Sequence, residues 1–212
     1  YTVGHNWRVS RLAVSLASFL DWSEEEVGIA ELGGILHDIG KIGIPDSIFL
    51  KREKLSEEEW QVMREHPEIG AQMIAGIDFL EQFIPYILYH HEHWDGGGYP
   101  YGLKKREIPK EGRLLLVCDA FDAMTTTRPY RRALEPEVAI EELRQGMTKQ
   151  FDPEYVNAFM NAWENGIIAA ALKDREEVPQ PSQGYYYSNF QSLIIGKDEL
   201  AKELQLAEKA SD

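Results

Sequence analysis

Apolar residues recur along much of the chain at the three- and four-residue spacing of an α-helix. The clearest run near the N-terminus would place five side chains on one helical face: Val9, Leu12, Ala13, Leu16 and Leu20. Ser23 followed by Glu26 is a capping-box pattern, in which each side chain bonds the backbone N–H of the other residue. We therefore expect a helix within the first twenty residues and a second helix that runs to about Leu36.

Further helices are predicted downstream. Ser56 and Glu59 repeat the capping-box pattern, and Pro67 would open a new helical turn just after His66, because proline suits the first turn of a helix. The segment FLEQFIPYILYHHEHW is apolar and long enough for a buried helix that ends in histidines. Two amphipathic segments, PEVAIEELRQGM and PEYVNAFMNAWENG, each begin with proline.

One segment is ambiguous between strand and helix. GRLLLVCDAFDAM could form a buried strand from its apolar run, whereas Ala120, Ala123 and Met124 extend it at helical spacing. No segment shows the clear alternation of a half-buried strand. The pattern therefore predicts an all-α fold.

The composition is that of a soluble globular protein with enough apolar residues for a core. The chain has 212 residues, of which 43% are hydrophobic, and no apolar run approaches the length of about 20 residues that a membrane span needs. A net charge of −14 argues against binding to polymeric nucleic acid. A phosphate ligand would have to meet positive charge placed locally by metals, arginine or lysine. The single cysteine, Cys118, excludes an internal disulfide and fits a reducing compartment such as the cytoplasm.

The composition changes near residue 173. The segment KDREEVPQPSQG is typical of a linker, and the aromatic YYYSNFQSLII and the polar KDELAKELQLAEKASD follow it. We predict one domain over residues 1–171 and a linker with an aromatic and helical tail over residues 172–212. Because the chain begins with Tyr1 rather than methionine, we expect further sequence upstream.

Seven candidate metal ligands lie on the predicted helices or at their ends. Imidazole and carboxylate groups suit iron, manganese, nickel and zinc. Seven ligands are too many for one tetrahedral zinc, but they fit two octahedral ions if Asp38 bridges them and water completes the shells. The seven residues are His5, His37, Asp38, His66, His90, His91 and Asp119.

Each candidate ligand has an ordinary structural alternative. A single His5 on an apolar helix can be a core or capping residue, and His66 can simply end a helix. Asp119 and its neighbour Asp122 can cap a helix or pair with an arginine, and His93 is left out of the predicted site. Taken jointly, the pairs HD and HH and an aspartate on a buried helix favour a metal centre over separate coincidences.

Four segments carry a family resemblance: LHDIGKIGIPDSIFLK, HPEIG, YHHEHWDGGGYP and DAFDAMTTTRPYRRAL. With these motifs in this order, the chain resembles the HD-GYP family of metal-dependent phosphohydrolases over nearly the whole first domain. The resemblance implies a helical bundle of the HD superfamily with a metal centre in its core. It also implies hydrolysis of the bacterial second messenger cyclic di-GMP and an upstream sensor or receiver domain.

The resemblance divides the seven ligands between two metals that share Asp38. One metal would be held by Asp38 together with His5, His37 and Asp119. The second would be held by Asp38 together with His66, His90 and His91. We expect iron or manganese, with nickel or zinc as alternatives.

The resemblance also implies residues that serve the substrate. These are Lys41, Tyr99, Arg128 and Arg131. Lys41 follows His37 at i+4, which would place it on the same helical face; its ordinary alternative is an exposed lysine at a helix end. Tyr99 would face the ligand from the glycine-rich GYP loop, and the two arginines would supply the local positive charge. The alternative for the loop is a glycine-rich turn without a ligand role. The alternative for the two arginines is a solvated basic helix start.

Three positions depart from the family pattern. Some members hold a third metal through an acid four residues before the first histidine, where this chain has Tyr1, so a third metal is doubtful. His93 and Thr127 stand where the family commonly has arginine and aspartate. These two departures bear on the substrate geometry and not on the metal centre.

We therefore predict a cytoplasmic phosphodiesterase with Asp38 and Lys41 as catalytic residues. A hydroxide bridging two metals would attack one phosphodiester of cyclic di-GMP, because coordination lowers the pKa of water from about 15.7 to about 7. The product would be pGpG, with a second cut to GMP left open. An HD phosphohydrolase for another nucleotide and a cyclic di-GMP-binding module without catalysis stay open as alternatives, as does a homodimer.

Overall fold

The computed structural model describes residues 2–51, 53–127 and 132–173, and the side chains of residues 2 and 3 are not among the described groups. These residues form ten α-helices and three short 3₁₀ segments, and they contain no strand beyond one isolated bridge. The prediction of an all-α fold is confirmed.

The helices follow one another with short connections. The α-helices are α1 (Thr2–Phe19), α2 (Glu24–Leu36), α3 (Asp46–Phe49), α4 (Glu57–Met63), α5 (His66–Ile74), α6 (Ile84–Tyr89), α7 (Lys110–Thr125), α8 (Pro136–Gln145), α9 (Pro153–Glu164) and α10 (Ile167–Lys173). The 3₁₀ segments are Ile39–Gly43, Asp78–Phe83 and Lys105–Glu107.

Helix α1 lies at the centre of the main hydrophobic core. It contacts α2, α7, α9 and α10, and its side chains Val9, Leu12 and Leu16 are fully buried, as the apolar pattern predicts. Leu20 lies just past the helix end and is only partly buried. Burial of one large aliphatic side chain contributes about 1.5–3 kcal/mol, so α1 is held firmly in the orientation that directs His5 inward.

Local signals place several helix starts correctly. Both predicted capping boxes are present, with Ser23 and Glu26 bonded reciprocally before α2 and Ser56 and Glu59 before α4. The ambiguous segment GRLLLVCDAFDAM belongs to the sixteen-residue helix α7. Helices α8 and α9 begin at the predicted prolines.

The expectation of one long helix over FLEQFIPYILYHHEHW is wrong. A 3₁₀ segment covers Asp78–Phe83, and the short α6 then runs from Ile84 to Tyr89. Pro85 lies at the start of α6, where a missing backbone N–H is tolerated because the first N–H groups of a helix have no intrahelical partner. The helix ends at the histidines, with His90 as its C-terminal cap.

Two glycines allow the close backbone approaches that position the HD pair. A Cβ atom at Gly34 would lie 2.6 Å from the Cα atom of Ser10, so α2 packs almost directly on the backbone of α1. A Cβ atom at Gly40 would collide with the backbone of His66 and Gly70 in α5. These contacts bring α2 against α1 and the following 3₁₀ segment against α5, on either side of the HD pair.

The last described helix crosses the predicted domain boundary. α10 ends at Lys173, and the rest of the predicted linker and tail, from residue 174 onward, lies outside the described residues. The boundary at residue 171 therefore stays a prediction. None of the helices in the described ranges has the combined length and apolar character that crossing a membrane would require.

Candidate metal centre

The seven predicted ligands converge in one place although they come from five helices and the turns after them. The contributions are His5 from α1, His37 and Asp38 from the end of α2, His66 from the first position of α5, His90 and His91 from the end of α6, and Asp119 from α7. All seven side chains are buried or partly buried. Helix ends supply five of these side chains, and His5 and Asp119 join them from within α1 and α7.

Within the described residues, the ligand atoms form two groups in which all atoms lie within 4.8 Å of one another. The first group contains Asp38, His66, His90 and His91, and the second contains His5, His37 and Asp119. The resemblance predicts the same two groups of residues, except that it also assigns Asp38 to the second group.

The Asp38 carboxylate lies between the two groups. Its Oδ1 atom is 3.4 Å from His66 Nε2 and 3.8 Å from His90 Nε2. Its Oδ2 atom is 3.5 Å from His37 Nε2 and 4.0 Å from His5 Nε2. One oxygen therefore faces each group, which is the arrangement that a bridging carboxylate needs.

Three of the imidazoles are oriented in the same way by the backbone. The Nδ1 atom of each lies 2.7–2.8 Å from a carbonyl oxygen three residues earlier, with the pairs His37–Gly34, His66–Met63 and His90–Ile87. Because a carbonyl only accepts, each Nδ1 carries the proton, and each Nε2 presents a lone pair to the cluster. The acceptors lie in the last turns of α2, α4 and α6, where carbonyl groups lack helical partners.

His5 is oriented by a carboxylate instead. Its Nδ1 atom lies 2.7 Å from Asp122 Oδ2, and its Nε2 atom lies 3.2 Å from Asp119 Oδ1. Arg8 donates two hydrogen bonds to Asp122, at 2.6 and 3.0 Å. Arg8 thus holds Asp122, and Asp122 holds His5. Hydrogen bonds of this kind behind a metal-binding imidazole fix its orientation and raise its basicity.

The protonation of the histidines follows from burial and charge. Burial lowers the pKa of His37 and His90, and it lowers the pKa of His91 to about 3, so these imidazoles are neutral. Burial would also lower the pKa of His5, but the hydrogen bonds to Asp119 and Asp122 outweigh it and raise that pKa to about 9. A metal held by His5 must displace this proton, so its affinity falls as the pH falls.

The residues fit a divalent cation. His37 Nε2 and Asp38 Oδ1 are buried and have no hydrogen-bond partner in the described part of the chain. His66 Nε2 and His90 Nε2 lie only 3.3 Å apart although neither carries a proton in the tautomer that the carbonyl groups impose. Unpartnered lone pairs in a buried place are costly, and a metal ion satisfies them together.

Lys41 lies at this cluster, but it does so from a different secondary-structure element than the sequence predicts. Helix α2 ends at Leu36, so Lys41 is not on the helical face of His37 and lies in the following 3₁₀ segment. Its Nζ atom is 2.5 Å from Asp38 Oδ2, and a quarter of its side chain is exposed. Burial works against ionisation of Asp38, but the positive charge of Lys41 beside it holds its pKa well below the usual range.

The GYP loop packs against the histidines that follow α6. The Tyr99 ring stacks on the His91 ring with centroids 4.7 Å apart, and the Tyr99 N–H donates to the His91 carbonyl at 3.1 Å. The buried Glu92 carboxylate accepts the N–H groups of Tyr101 and Leu103 at 2.7 and 3.0 Å. Glu92 thus holds the loop that places Tyr99 beside the cluster.

Three of the residues discussed from the sequence cannot be placed in the cluster, one lies outside both groups, and two residues near the cluster were not predicted. Arg128 and Arg131 lie outside the described residues, as does Tyr1, and His93 belongs to neither group of ligand atoms in the described structure. Sequence reasoning missed Arg8 and Glu92. The spacing of Asp119 and Asp122 did raise the alternative of an arginine partner, and this holds for Asp122.

Comparison with known proteins gives the family. A family model described as HD domain matches residues 2–155. The chain belongs to the HD domain family, in its HD-GYP branch. The cyclic di-GMP phosphodiesterase response regulator RpfG of Xanthomonas campestris is 43% identical over 155 residues, which are 72% of this chain and 41% of that protein.

Two further similarities matter for this HD-GYP chain. A 3'3'-cGAMP-specific phosphodiesterase 2 of Vibrio cholerae is 34% identical over 176 residues, which are 82% of this chain and 34% of that protein. The solved structure of Bd1817, an HDG"Y"P protein from Bdellovibrio bacteriovorus, has a TM-score of 0.63 at 22% identity over 77% of this chain and 53% of that one. It supports the fold alone. The chain spans less than half the length of these curated relatives.

Replacing Asp122 by alanine should weaken metal binding next to His5, because Nδ1 loses the acceptor that fixes its tautomer. Changes in such outer-shell partners typically cost about 10- to 100-fold in metal affinity. The measurement is metal titration against a competing chelator, with metal content by mass spectrometry.

Asp152→Ala is the matched control for the Asp122 variant. It removes another buried carboxylate that pairs with an arginine, Arg113 at 2.7 Å, outside the cluster. Equal metal affinity in the two variants would show that Asp122 has no role in the centre.

Proposed function

We propose that the chain is a metal-dependent phosphodiesterase that hydrolyses cyclic di-GMP. The observation that carries the proposal is the Asp38 carboxylate between two groups of imidazoles, with one oxygen toward each group. The name of the relative from Xanthomonas campestris supports the choice of substrate. Because this chain is much shorter than that relative, the proposal concerns the activity of the HD-GYP domain.

Two divalent ions would share Asp38. One would also be held by His5, His37 and Asp119, and the other by His66, His90 and His91. Iron or manganese suits these nitrogen and oxygen ligands, with nickel or zinc as alternatives. When bound, such ions polarise phosphoryl oxygens and lower the pKa of water near a phosphodiester.

Lys41 is the residue of the chain best placed to assist the chemical step. Its ammonium group lies at the cluster, where it contacts Asp38, yet a quarter of its side chain stays open to solvent. Charge develops on the leaving 3′-oxygen as the phosphodiester breaks, and a fixed cation at that point is worth most where water is scarce. Lys41 would therefore donate a hydrogen bond or a proton to the leaving oxygen.

Tyr99 would form one wall of the substrate site. Its ring covers His91 and so shields one side of the cluster from water. Arg128 and Arg131 remain proposed contacts to the phosphates or to guanine, because guanidinium groups match both geometries. The first cut would give pGpG, with a second cut to GMP as an extension of the same chemistry.

A second candidate substrate is 3′3′-cGAMP. The relative from Vibrio cholerae carries that substrate in its name at 34% identity. The two substrates share one guanine and two phosphodiesters, so the metal centre treats them alike, and the bases decide between them. The higher identity of the cyclic di-GMP relative favours the first candidate.

Protein loaded with metal under anaerobic conditions should convert cyclic di-GMP to pGpG faster than it cleaves 3′3′-cGAMP. The products are identified by chromatography and mass spectrometry, with the chelator-treated protein as the inactive control. Cleavage of 3′3′-cGAMP alone would select the second candidate. Binding of cyclic di-GMP without cleavage by protein that holds two metals would favour a signalling module without catalysis.

Lys41→Met should lower kcat and kcat/KM together by about 100-fold, because a cation that acts only in the transition state is lost. Methionine keeps much of the apolar stem, and in the metal-loaded protein the cations would supply the positive charge that Asp38 loses with Lys41, so folding and metal content should persist. Single-turnover cleavage of cyclic di-GMP by the metal-loaded variant measures the effect. Lys173→Met, at the exposed end of α10, is the matched control, and a wild-type rate for Lys41→Met would reduce Lys41 to an ordinary surface lysine.

A further inference from the structure

Arg64 is an exposed residue beside the candidate site, where it contacts the ring of Tyr99. It caps the C-terminal end of α4, two residues before His66. Its guanidinium carbon lies over the Tyr99 ring, 5.6 Å from the ring centroid. The same ring stacks on His91 at 4.7 Å and meets His66 edge-on at 6.5 Å. One aromatic ring therefore connects Arg64 with two of the candidate metal ligands.

The charge of Arg64 is not neutralised by the described part of the protein. No described carboxylate lies within 4.0 Å of its guanidinium, although the chain carries 36 acidic residues against 22 basic ones. Other arginines find such a partner: Arg8 pairs with Asp122 and Arg113 with Asp152. A guanidinium that rests on a ring face keeps its N–H donors at the edge available.

Cyclic dinucleotides bring a second anion to this site. Each contains two phosphodiesters on opposite sides of one macrocycle, and only one of them reacts at a time. The other carries a full negative charge that a protein of net charge −14 must meet with a placed cation. A guanidinium fork suits a phosphodiester because two N–H groups bond two oxygens at once.

We infer that Arg64, held in place by Tyr99, binds the phosphodiester that is not being cleaved. The inference rests on the proposed function and adds a phosphate subsite to it. Tyr99 then has two tasks, since it covers His91 and also sets the direction of the guanidinium. Arg64 acts in substrate binding and takes no part in the chemical step.

Arg64→Ala should raise KM for cyclic di-GMP by about 10- to 100-fold, the range expected for loss of a charge-assisted hydrogen-bond pair. The value of kcat should change little, because the contact is equal in the ground state and the transition state. KM for 3′3′-cGAMP should rise by the same factor, since both substrates present the same second phosphodiester. Arg64→Lys should recover part of the loss through its charge alone.

A substrate with a single phosphodiester separates this role from damage to the metal centre. Cleavage of bis(p-nitrophenyl) phosphate by Arg64→Ala should match wild type, with equal metal content. Arg144→Ala, on α8, removes another exposed arginine and should leave every parameter unchanged. An unchanged KM for cyclic di-GMP in Arg64→Ala would overturn the inference, and so would an equal loss toward the single phosphodiester. A loss for cyclic di-GMP much larger than for 3′3′-cGAMP would overturn it as well, since Arg64 would then contact a guanine.

Equilibrium binding of cyclic di-GMP keeps the two proposals distinguishable. Wild-type protein that binds the dinucleotide without cleaving it would contradict the proposed function. The dissociation constant of Arg64→Ala would then test the subsite, with the same 10- to 100-fold weakening expected. Wild-type protein that neither binds nor cleaves cyclic dinucleotides would overturn both.

Discussion

A buried carboxylate is the constraint on which the rest of the structure depends. Asp38 is 5% exposed and lies among imidazoles on two sides. Removing an ionised carboxylate from water costs several kcal/mol unless positive charge or donors surround it. Lys41 supplies one such charge at Oδ2. Gly34 allows α2 to pack closely on α1, and Gly40 allows the following 3₁₀ segment to pack closely on α5, so that Asp38 between them is enclosed.

Helix ends orient three of the imidazoles in the cluster. The carbonyl groups of the last helical turns lack partners, and three histidines use them to fix which ring nitrogen carries the proton. The same hydrogen bonds point the other nitrogen toward Asp38. The residue at which a helix ends therefore decides which histidine is oriented in this way. The short helix α6, which ends just before His90, is an example. The candidate ligands are oriented by the fold itself, so little reorganisation would be needed for a cation to bind.

The sequence predicts which side chains converge better than it predicts the path of the chain between them. The seven candidate ligands could be named because imidazoles and carboxylates of this number suit few other purposes, and because the family motifs stand in order. The prediction that Lys41 shares a helical face with His37 was wrong, because no cap or helix breaker in the sequence marks the end of α2 at Leu36. Asp122 could not be assigned to His5 and Arg8 because those contacts join residues more than 100 positions apart. Helix α10 and the three 3₁₀ segments carry signals too short to detect.

The central proposal is that Asp38 would bridge two cations, one for each group of imidazoles. Anomalous X-ray diffraction from crystals of the metal-loaded protein tests it most directly. The account predicts two anomalous peaks in the cluster, one beside His5, His37 and Asp119 and the other beside His66, His90 and His91, with one Asp38 oxygen bound to each. A single peak, or two peaks with Asp38 bound to only one of them, would contradict it.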